Sequence, residues 1–344
     1  MRERKATSFD IAFRAGVSQS TVSRALRNSP LVTPETRAKI QAIARELNYR
    51  VDKHAASLRS QCSSTLALLI FEDSTTDDSQ INPFFLSMLG SVTRCAATRG
   101  YDVLISFQQL QKDWHTEYEL SSRADGLILL GYGDYVRYQK KLERLEQSGA
   151  HFIIWGPMVE DQPGHSIGCD NFNGAAEATR HLLALGHREI AFIGGASAHC
   201  PEFLHRYQGH VSALADMNIV ADSTLQADAE NSEQDGFQAV RQLLADKCRF
   251  TALCCASDLI AIGAIRALGD AGLRVPDNIA VVGFDDIPAA SYMYPPLTTV
   301  HQDTLRAGEL LVESLINLIN GEPVEYGLLT PSLVIRESCG AGLR

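Results

Sequence analysis

Seven consecutive residues near the amino terminus carry side chains suited to a partner rich in hydrogen-bond acceptors. Residues 18–24 read Ser-Gln-Ser-Thr-Val-Ser-Arg, so hydroxyl, amide and guanidinium groups surround a single valine. Short Ser and Thr side chains can donate to phosphate oxygens, and Gln and Arg can reach base edges in the major groove of DNA. The alternative is the solvated polar face of an ordinary three-helix bundle.

The sequence predicts the helices that would present these side chains. Thr7-Ser8-Phe9-Asp10 resembles a capping box and starts a first helix, which Gly16 ends. Ser18 can cap a second helix over the polar residues. Thr33-Pro34-Glu35 opens a third helix, whose apolar stripe is Ile40, Ile43, Ala44 and Leu47. Two helices joined by a Gly-containing turn and braced by a third form a helix-turn-helix unit.

The chain has 344 residues, a length that suggests two or three domains. Its charge is distributed unevenly along the sequence. The whole chain has a net charge of −10, yet the segment up to Gln61 has twelve Lys and Arg against five Asp and Glu. The remainder carries 19 basic and 36 acidic residues, a net charge of −17. This asymmetry indicates a basic nucleic-acid-binding module on an acidic body that does not itself bind DNA.

The body, from Thr65 onward, alternates apolar runs with segments of helical period. This alternation predicts parallel sheets with helices on both faces, and the length of the stretch suggests two lobes. The eight scattered cysteines are expected to be reduced. The predicted strands are Leu66–Phe71, Val103–Phe107, Gly126–Leu130, Phe152–Trp155, Ile190–Ile193, Ala252–Cys255 and Ile279–Phe284.

An enzyme of the doubly wound class is the main rival interpretation of this body. The sequence contains no G-x-G-x-x-G, G-x-x-x-x-G-K-[ST] or G-x-S-x-G motif, so a dinucleotide site, a P-loop and a nucleophile elbow have no support. One cluster of metal-ligand types occurs, but its spacing fits neither a zinc finger nor one face of a helix. Its members are His199, Cys200, His205 and His210. We expect no metal, no cofactor and no catalytic residue.

The first fifty residues resemble the DNA-binding headpiece of the LacI/GalR family of transcriptional regulators. The resemblance is carried by residues 10–12, 15–18, 21–26, 32–37 and 47–49. It implies that three side chains read bases in the major groove: Gln19, Ser20 and Arg24. It also implies phosphate contacts by Ser18, Thr21, Ser23, Arg27, Thr33 and Thr36, with Tyr49 supporting the backbone contact.

Residues 51–64 resemble the hinge helix and linker of the same family. The resemblance implies minor-groove contacts by Ala55, Leu58 and Arg59, with Leu58 inserted at a central base step. A plain flexible linker is the alternative. The family's hinge helix usually starts with proline, and this chain has Val51. Because proline preorganises the first turn, we expect this hinge to be less helical when it is free.

The body resembles the family's two-lobed core, a periplasmic-binding-protein-like fold of type I, over residues 65–340. The resemblance implies that the chain crosses between lobes near Gly186, near His301 and near Pro323. Lobe one then comprises about 65–185 and 302–322, and lobe two about 186–301 and 323–340. It also implies an effector site in the cleft, formed by Phe84, Phe85, Asn173, Arg206, Ser257 and Asp285.

These features together predict an all-α headpiece followed by an α/β effector-binding and dimerisation domain. The expected function is that of a transcriptional regulator, most simply a repressor, which binds double-stranded pseudo-palindromic operator DNA as a homodimer. A sugar is the first candidate effector, and a purine or another metabolite is the alternative. A solute-binding receptor is a distant alternative, since it needs a signal peptide and would lack the headpiece. No secretory signal or membrane span is expected, so we place the protein in the cytoplasm.

Overall fold

A computed structural model describes residues 6–26, 28–47, 49, 62–71, 81–107, 113–131, 134–159 and 162–342. Contacts within the chain divide it between Ser63 and Ser64 into two compact units. The small amino-terminal unit is the headpiece and the large unit is the body. The hinge residues Ala55, Leu58 and Arg59, with Val51, lie outside the described residues, as does Arg27 of the headpiece.

The headpiece consists of three helices, α1 (Ser8–Ala15), α2 (Gln19–Leu26) and α3 (Pro34–Glu46). The predicted capping box is confirmed, because Thr7 and Asp10 exchange side chain-to-backbone hydrogen bonds. Gly16 ends α1 with φ +72°, a conformation that favours glycine. Thr33 caps α3 ahead of Pro34. The apolar faces of the helices enclose a small core of Ile11, Ala12, Ala15, Val22, Ala25, Val32, Ile40 and Ala44.

The first sheet of the body is parallel throughout and defines lobe one. Its strand order is β11-β5-β4-β3-β1-β2. The strands are β1 (Thr65–Ile70), β2 (Asp102–Phe107), β3 (Gly126–Leu130), β4 (Phe152–Trp155), β5 (His165–Cys169) and β11 (Gly327–Leu329). Its helices are α4 (Pro83–Thr98), α5 (Tyr135–Gln147) and α11 (Thr304–Asn320), with a π-helical turn at Thr116–Leu120.

The second sheet defines lobe two, and its order is β12-β10-β9-β8-β6-β7. Only the pairing of β12 with β10 is antiparallel among the described strands. The strands are β6 (Ile190–Ile193), β7 (Gln226–Ala227), β8 (Ala252–Cys255), β9 (Ala280–Asp285), β10 (Thr298–His301) and β12 (Ser332–Val334). The helices are α6 (Asn171–Ala184), α7 (Pro201–Asp216), α8 (Glu233–Ala245), α9 (Asp258–Asp270) and the short α10 (Pro288–Tyr292). The predicted two-lobed α/β fold with mainly parallel sheets is thus confirmed.

Two of the three crossings between lobes lie away from their predicted positions. The expectation near Gly186 is wrong, because α6 packs on α7 and on strands of the second sheet. The chain therefore changes lobe at Asp170, before α6. The expectation near Pro323 is also wrong, because β11 pairs with β5 before the chain crosses at residues 330–331. The remaining crossing follows His301, between β10 and α11.

Candidate DNA-binding surface and effector site

Helix α2 turns its apolar residues inward and its polar residues outward. Val22 and Ala25 are fully buried, whereas Ser20 and Arg24 are exposed. Ser18 accepts a hydrogen bond from the backbone N–H of Thr21 at 3.2 Å and so caps the helix. The polar residues of this stretch are therefore exposed or half-buried on the outer side of α2, which could enter a groove with its amino-terminal residues first.

The other predicted DNA-contacting residues are placed by the local structure of the headpiece. Gln19 donates from Nε2 to the Ser8 hydroxyl at 2.9 Å, which ties the start of α2 to α1. Thr33 and Thr36 are hydrogen-bonded to each other at the start of α3, with 2.9 Å between their hydroxyl oxygens. Ser23 is half-buried on α2. Tyr49 is half-buried against the headpiece core, and its backbone N–H donates to the Ala44 carbonyl.

Two basic residues counted toward the positive headpiece also hold its turns together. Arg37 donates from Nη2 to the carbonyls of Ser29 and Val32, at 2.8 and 3.0 Å. Lys39 donates to the carbonyl of Ala15, where α1 ends, at 3.0 Å. Arg37 and Lys39 thus have structural roles inside the headpiece in addition to their charge, and a cation near a helix carboxyl terminus is favourable.

In the body, Arg206 and Asp285 form a fully buried ion pair where the lobes meet. Arg206 Nη1 lies 3.4 Å from Asp285 Oδ1, and both side chains are 1% exposed. Arg206 also donates from Nε to Asn171 Oδ1 at 2.7 Å and from Nη1 to the Ala256 carbonyl. Its guanidinium stacks 3.8 Å from the ring centroid of Phe284. These contacts fix a rigid donor group beside a carboxylate, the arrangement that vicinal hydroxyls require.

Asp285 has a backbone conformation that is unusual for a residue with a side chain. Its φ is +116° at the end of β9. The carboxylate is held by Gln302 Nε2, which donates to Oδ1 at 2.7 Å, and by Arg206. Burial raises the pKa of Asp285 to about 6, against the lowering effect of these two partners. Strained backbone held by its surroundings is typical of ligand sites.

The structure does not bring all the predicted effector residues to Arg206. Asn173 is exposed, and its amide contacts Asp170 at 2.7 Å, whereas Asn171, which the sequence reasoning missed, contacts Arg206. Ser257 is buried and its hydroxyl caps α9 by accepting from the N–H of Ile260. Phe84 and Phe85 are buried in the main core of the body, with Phe84 6.0 Å from the Trp155 ring centroid.

Two cavities lie beside this buried network. The first is small, with a volume of about 40 Å³, and is mainly apolar. Its described lining includes Phe71, Tyr135, Tyr138, Trp155, Gln162 and Glu202. The second has a volume of about 280 Å³ and is lined by Met158, Asp170, Asn171, Phe172, His205 and Gln208, among others. Arg206 is adjacent to the lining of both: Glu202 of the first cavity precedes it by one helical turn, and Asn171 of the second is its hydrogen-bond partner.

The two lobes also touch at the mouth of the cleft, away from the crossings. The backbone N–H of Tyr135 on α5 donates to the carbonyl of His199 at 2.9 Å. His199 Nδ1 lies 2.8 Å from Asp134 Oδ1. Contacts with His199 lower the pKa of Asp134, in opposition to its desolvation. His199 of the former metal-like cluster thus bridges the lobes.

The other members of that cluster are dispersed. His210 is buried in lobe two with its Nδ1 3.0 Å from the Thr179 hydroxyl, and His205 lines the second cavity. Burial raises the pKa of the Cys200 thiol. Among the described residues, no group of three His, Cys, Asp or Glu side chains is placed to hold a metal ion.

Comparison with known proteins gives a consistent pattern over both units. Residues 9–52 match the model of the bacterial regulatory proteins of the lacI family, and residues 179–339 match that of a periplasmic binding protein-like domain. The chain is 33% identical to the ribose operon repressor of Escherichia coli (strain K12) over 340 residues, covering 97% of this chain and 99% of that protein. It is 30% identical to the HTH-type transcriptional repressor PurR of Histophilus somni (strain 129Pt), with 97% and 98% covered.

The chain belongs to the LacI family of bacterial regulatory proteins. It is therefore a DNA-binding transcriptional regulator and not an enzyme. Among solved structures, the chain is similar to the Lac repressor dimer bound to operator and the anti-inducer ONPF, with a TM-score of 0.83 and 28% identity. The similarity covers 98% of this chain and 99% of the Lac repressor chain. It is also similar to the transcriptional regulator CelR in its cellobiose complex, with a TM-score of 0.72, 28% identity, and 97% and 99% covered. No helix within its described residues has the length and hydropathy to span a membrane.

Proposed function

We propose that this LacI-family protein is a cytoplasmic repressor whose affinity for operator DNA is set by a sugar in the cleft of its body. Its relatives are named repressors, and one similar structure is a complex with cellobiose. The headpiece binds a pseudo-palindromic operator as part of a homodimer, and the similar Lac repressor structure is a dimer bound to operator. Gln19, Ser20 and Arg24 read bases, and the hydroxyls of α2 and α3 contact phosphates.

The buried network around Arg206 is the observation that carries the choice of effector. Arg206 is already neutralised by Asp285, so the site offers no spare positive charge to an anion. It offers a fork of donors next to acceptors on Asp285, Asn171 and Gln302, and a hydroxyl group both donates and accepts. A neutral ligand with several hydroxyl groups satisfies this set without burying an additional charge.

A nucleobase is the second candidate because aromatic side chains lie close to the same network. Tyr135, Tyr138 and Trp155 line the first cavity, one helical turn from Arg206 through Glu202. Planar rings of this kind can stack on a base as well as on the apolar face of a sugar.

A melting-temperature screen of the full-length protein against sugars and nucleobases separates these candidates. We expect one sugar at millimolar concentration to raise the melting temperature by several degrees, since a ligand at 100 times its Kd stabilises by about 2.7 kcal/mol. Asn171→Ala should lose this shift because Asn171 contacts Arg206, and Asn173→Ala is its matched control on the same helix. A shift in melting temperature with nucleobases alone would identify the effector as a nucleobase instead of a sugar. No shift with either class of ligand would refute the proposal.

A further inference from the structure

The carboxylate of Glu202 reaches from lobe two across to lobe one. Glu202 is the second residue of α7, and its Oε1 lies 3.7 Å from the point that a Cβ on Gly156 would occupy. Desolvation raises the pKa of the Tyr135 phenol, and the Glu202 charge raises it further. The carboxylate therefore lies near Gly156 and Tyr135, which line the first cavity with it.

No cation compensates Glu202 within the described lining of that cavity. Glu202 is the one charged residue among the described residues that line it. The nearby Arg206 is engaged by Asp285, Asn171 and the Ala256 carbonyl. Oε2 of Glu202 lies 4.0 Å from the Cys200 thiol, and the carboxylate also accepts a hydrogen bond from its own backbone N–H. Burial raises the pKa of Glu202 to about 6, against the lowering effects of that hydrogen bond and of the Arg206 charge. A desolvated carboxylate that meets no cation in the described cavity lining is stabilised by a ligand that brings a positive charge.

The rest of the cavity wall is aromatic. Phe71 and Tyr138 lie 4.4 Å apart between ring centroids, and Tyr135 and Trp155 line the same space. The faces of such rings carry negative electrostatic potential and attract cations. A second polyhydroxylated ring would need several polar partners here, and Gln162 is the only described amide on the wall.

We propose that the first cavity is a subsite for a protonated amine of the effector, with Glu202 as its counter-charge. The proposal rests on the proposed function because it assigns the rest of the ligand to Arg206 and Asp285. Glu202 and Arg206 are four residues apart on α7, a spacing that places side chains on one face at about 5–6 Å between Cβ atoms. One small molecule, such as an amino sugar, can therefore contact both groups. The acidic body, with a net charge of −17 after Gln61, also favours the approach of a cation.

Two ligand pairs that differ in charge but little in shape test this subsite by titration calorimetry on the full-length protein. The pairs are glucosamine with glucose, and galactosamine with galactose. In the wild type we expect each amine to bind at least about 10-fold more tightly than its neutral partner, as for a desolvated cation–carboxylate contact beside aromatic rings. Glu202→Gln should reduce this ratio to below about 3-fold. Glu177→Gln, an exposed position on α6, should leave it unchanged.

Each other result of the titrations contradicts either the amine subsite or the proposed function. Equal or tighter binding of the neutral partners, no binding by either amine, or a preference that survives in both Glu202→Gln and Glu202→Ala would overturn the subsite. The operator affinity of the wild type, measured with the same ligands, separates this failure from that of the proposed function. If the amines bind preferentially but leave operator affinity unchanged, the subsite stands and its link to regulation falls. If a neutral sugar releases the operator while the amines show no preference, the function stands and the subsite falls.

Discussion

At the scale of single residues, the ion pair of Arg206 and Asp285 shows how the fold prepares a polar site in its interior. Two buried charges are costly unless their geometry and their remaining hydrogen bonds are good. Asn171, Gln302 and the Phe284 ring supply these additional contacts. Removing either charge would leave the other buried and unpaired, which costs about 3–5 kcal/mol. Substitutions that keep the charge are therefore the better probes of this site.

Arg24 is the residue on which the proposed reading of DNA sequence depends most. It is exposed on α2, opposite the buried face that contains Val22 and Ala25. We expect Arg24→Ala to weaken binding to the selected operator by about 1–3 kcal/mol and to relax base preference at one position in each half-site. Binding-site selection from a random DNA library, with wild type and variant in parallel, measures this. An unchanged consensus would show that Arg24 does not read a base.

His210 provides a prediction about stability and pH. Burial in lobe two lowers its pKa to about 4, below the value of about 6.5 for an exposed imidazole. Protonation therefore favours the unfolded chain, so the contribution of His210 is fully present above pH 6.5 and is lost as the pH falls toward 4. The loss is at most about 3 kcal/mol.

Urea unfolding of the wild type and of His210→Gln between pH 4.5 and 7.5 measures this contribution. We expect the wild type to lose stability relative to the variant as the pH falls through this range. A pH-independent difference between the two proteins would mean that His210 is already protonated in the fold or is not buried.

At the scale of elements, the contacts between α5 and the loop before α7 bear on the closing of the cleft. The His199 side chain is 62% exposed, so its bridge to Asp134 is worth only about 0.2–1 kcal/mol. The hydrogen bond from the Tyr135 N–H to the His199 carbonyl does not depend on that side chain. A ligand that contacts both lobes binds the closed arrangement, and the bridge favours this arrangement.

His199→Ala should accordingly weaken effector binding by about 1.5- to 5-fold without preventing it. Titration calorimetry with the effector found by the melting screen provides the value. Arg180→Ala, which removes an exposed ion pair with Asp216 far from the cleft mouth, is the control. Tighter binding by His199→Ala would mean that the bridge holds an arrangement unsuited to the ligand.

The elements also show why some of the fold could be predicted from the sequence and some could not. Long apolar strands such as β3 and β4 have the predicted bounds, because burial on both faces of a parallel sheet requires continuous apolar runs. Strand β5, His-Ser-Ile-Gly-Cys, was missed because it contains polar residues and a glycine. Four short strands were also not predicted, because strands of two to four residues depend on pairing with distant segments. They are β7, β10, β11 and β12.

Part of the candidate effector site could likewise be predicted from the sequence, and part could not. Arg206 and Asp285 could be assigned from the resemblance, and they lie together in the structure. The sequence could not assign the other site residues, Asn171, Gln302 and Glu202. Their roles depend on where α6 and α7 pack and where the chain crosses between lobes. The assignment of Asn173 rather than Asn171 reflects this limit. A shift of two residues along a helix turns a side chain to a different face.

At the scale of the whole molecule, the unequal distribution of charge predicts which part of the chain binds DNA. The segment up to Gln61 has a net charge of +7 and the remainder −17. Binding by the headpiece should release counterions, so the affinity of the full-length protein should fall steeply with salt, by about 10³-fold or more between 50 and 200 mM if six or more phosphates are contacted. The fragment from Thr65 onward should not bind.

Fluorescence anisotropy with labelled duplexes at several salt concentrations measures both the salt dependence of the full-length protein and any binding by the fragment from Thr65 onward. A duplex without the selected operator should show the same steep dependence but weaker binding. If the fragment from Thr65 bound DNA, or if the affinity of the full-length protein were independent of salt, the assignment of DNA binding to the basic headpiece would be wrong.

Occupancy of the cleft is expected to control the headpiece, and the quantity that tests this claim is an affinity. It is the operator affinity of the full-length protein with and without its effector, compared between the wild type and Arg206→Lys, which keeps the buried charge but not the planar fork of donors. We predict that the effector changes wild-type affinity at least about 10-fold, a coupling of about 1.4 kcal/mol, and changes that of the variant less than about 2-fold. Without effector, the two proteins should bind the operator equally. An equal effector response in both proteins, or no response in the wild type, would contradict the claim.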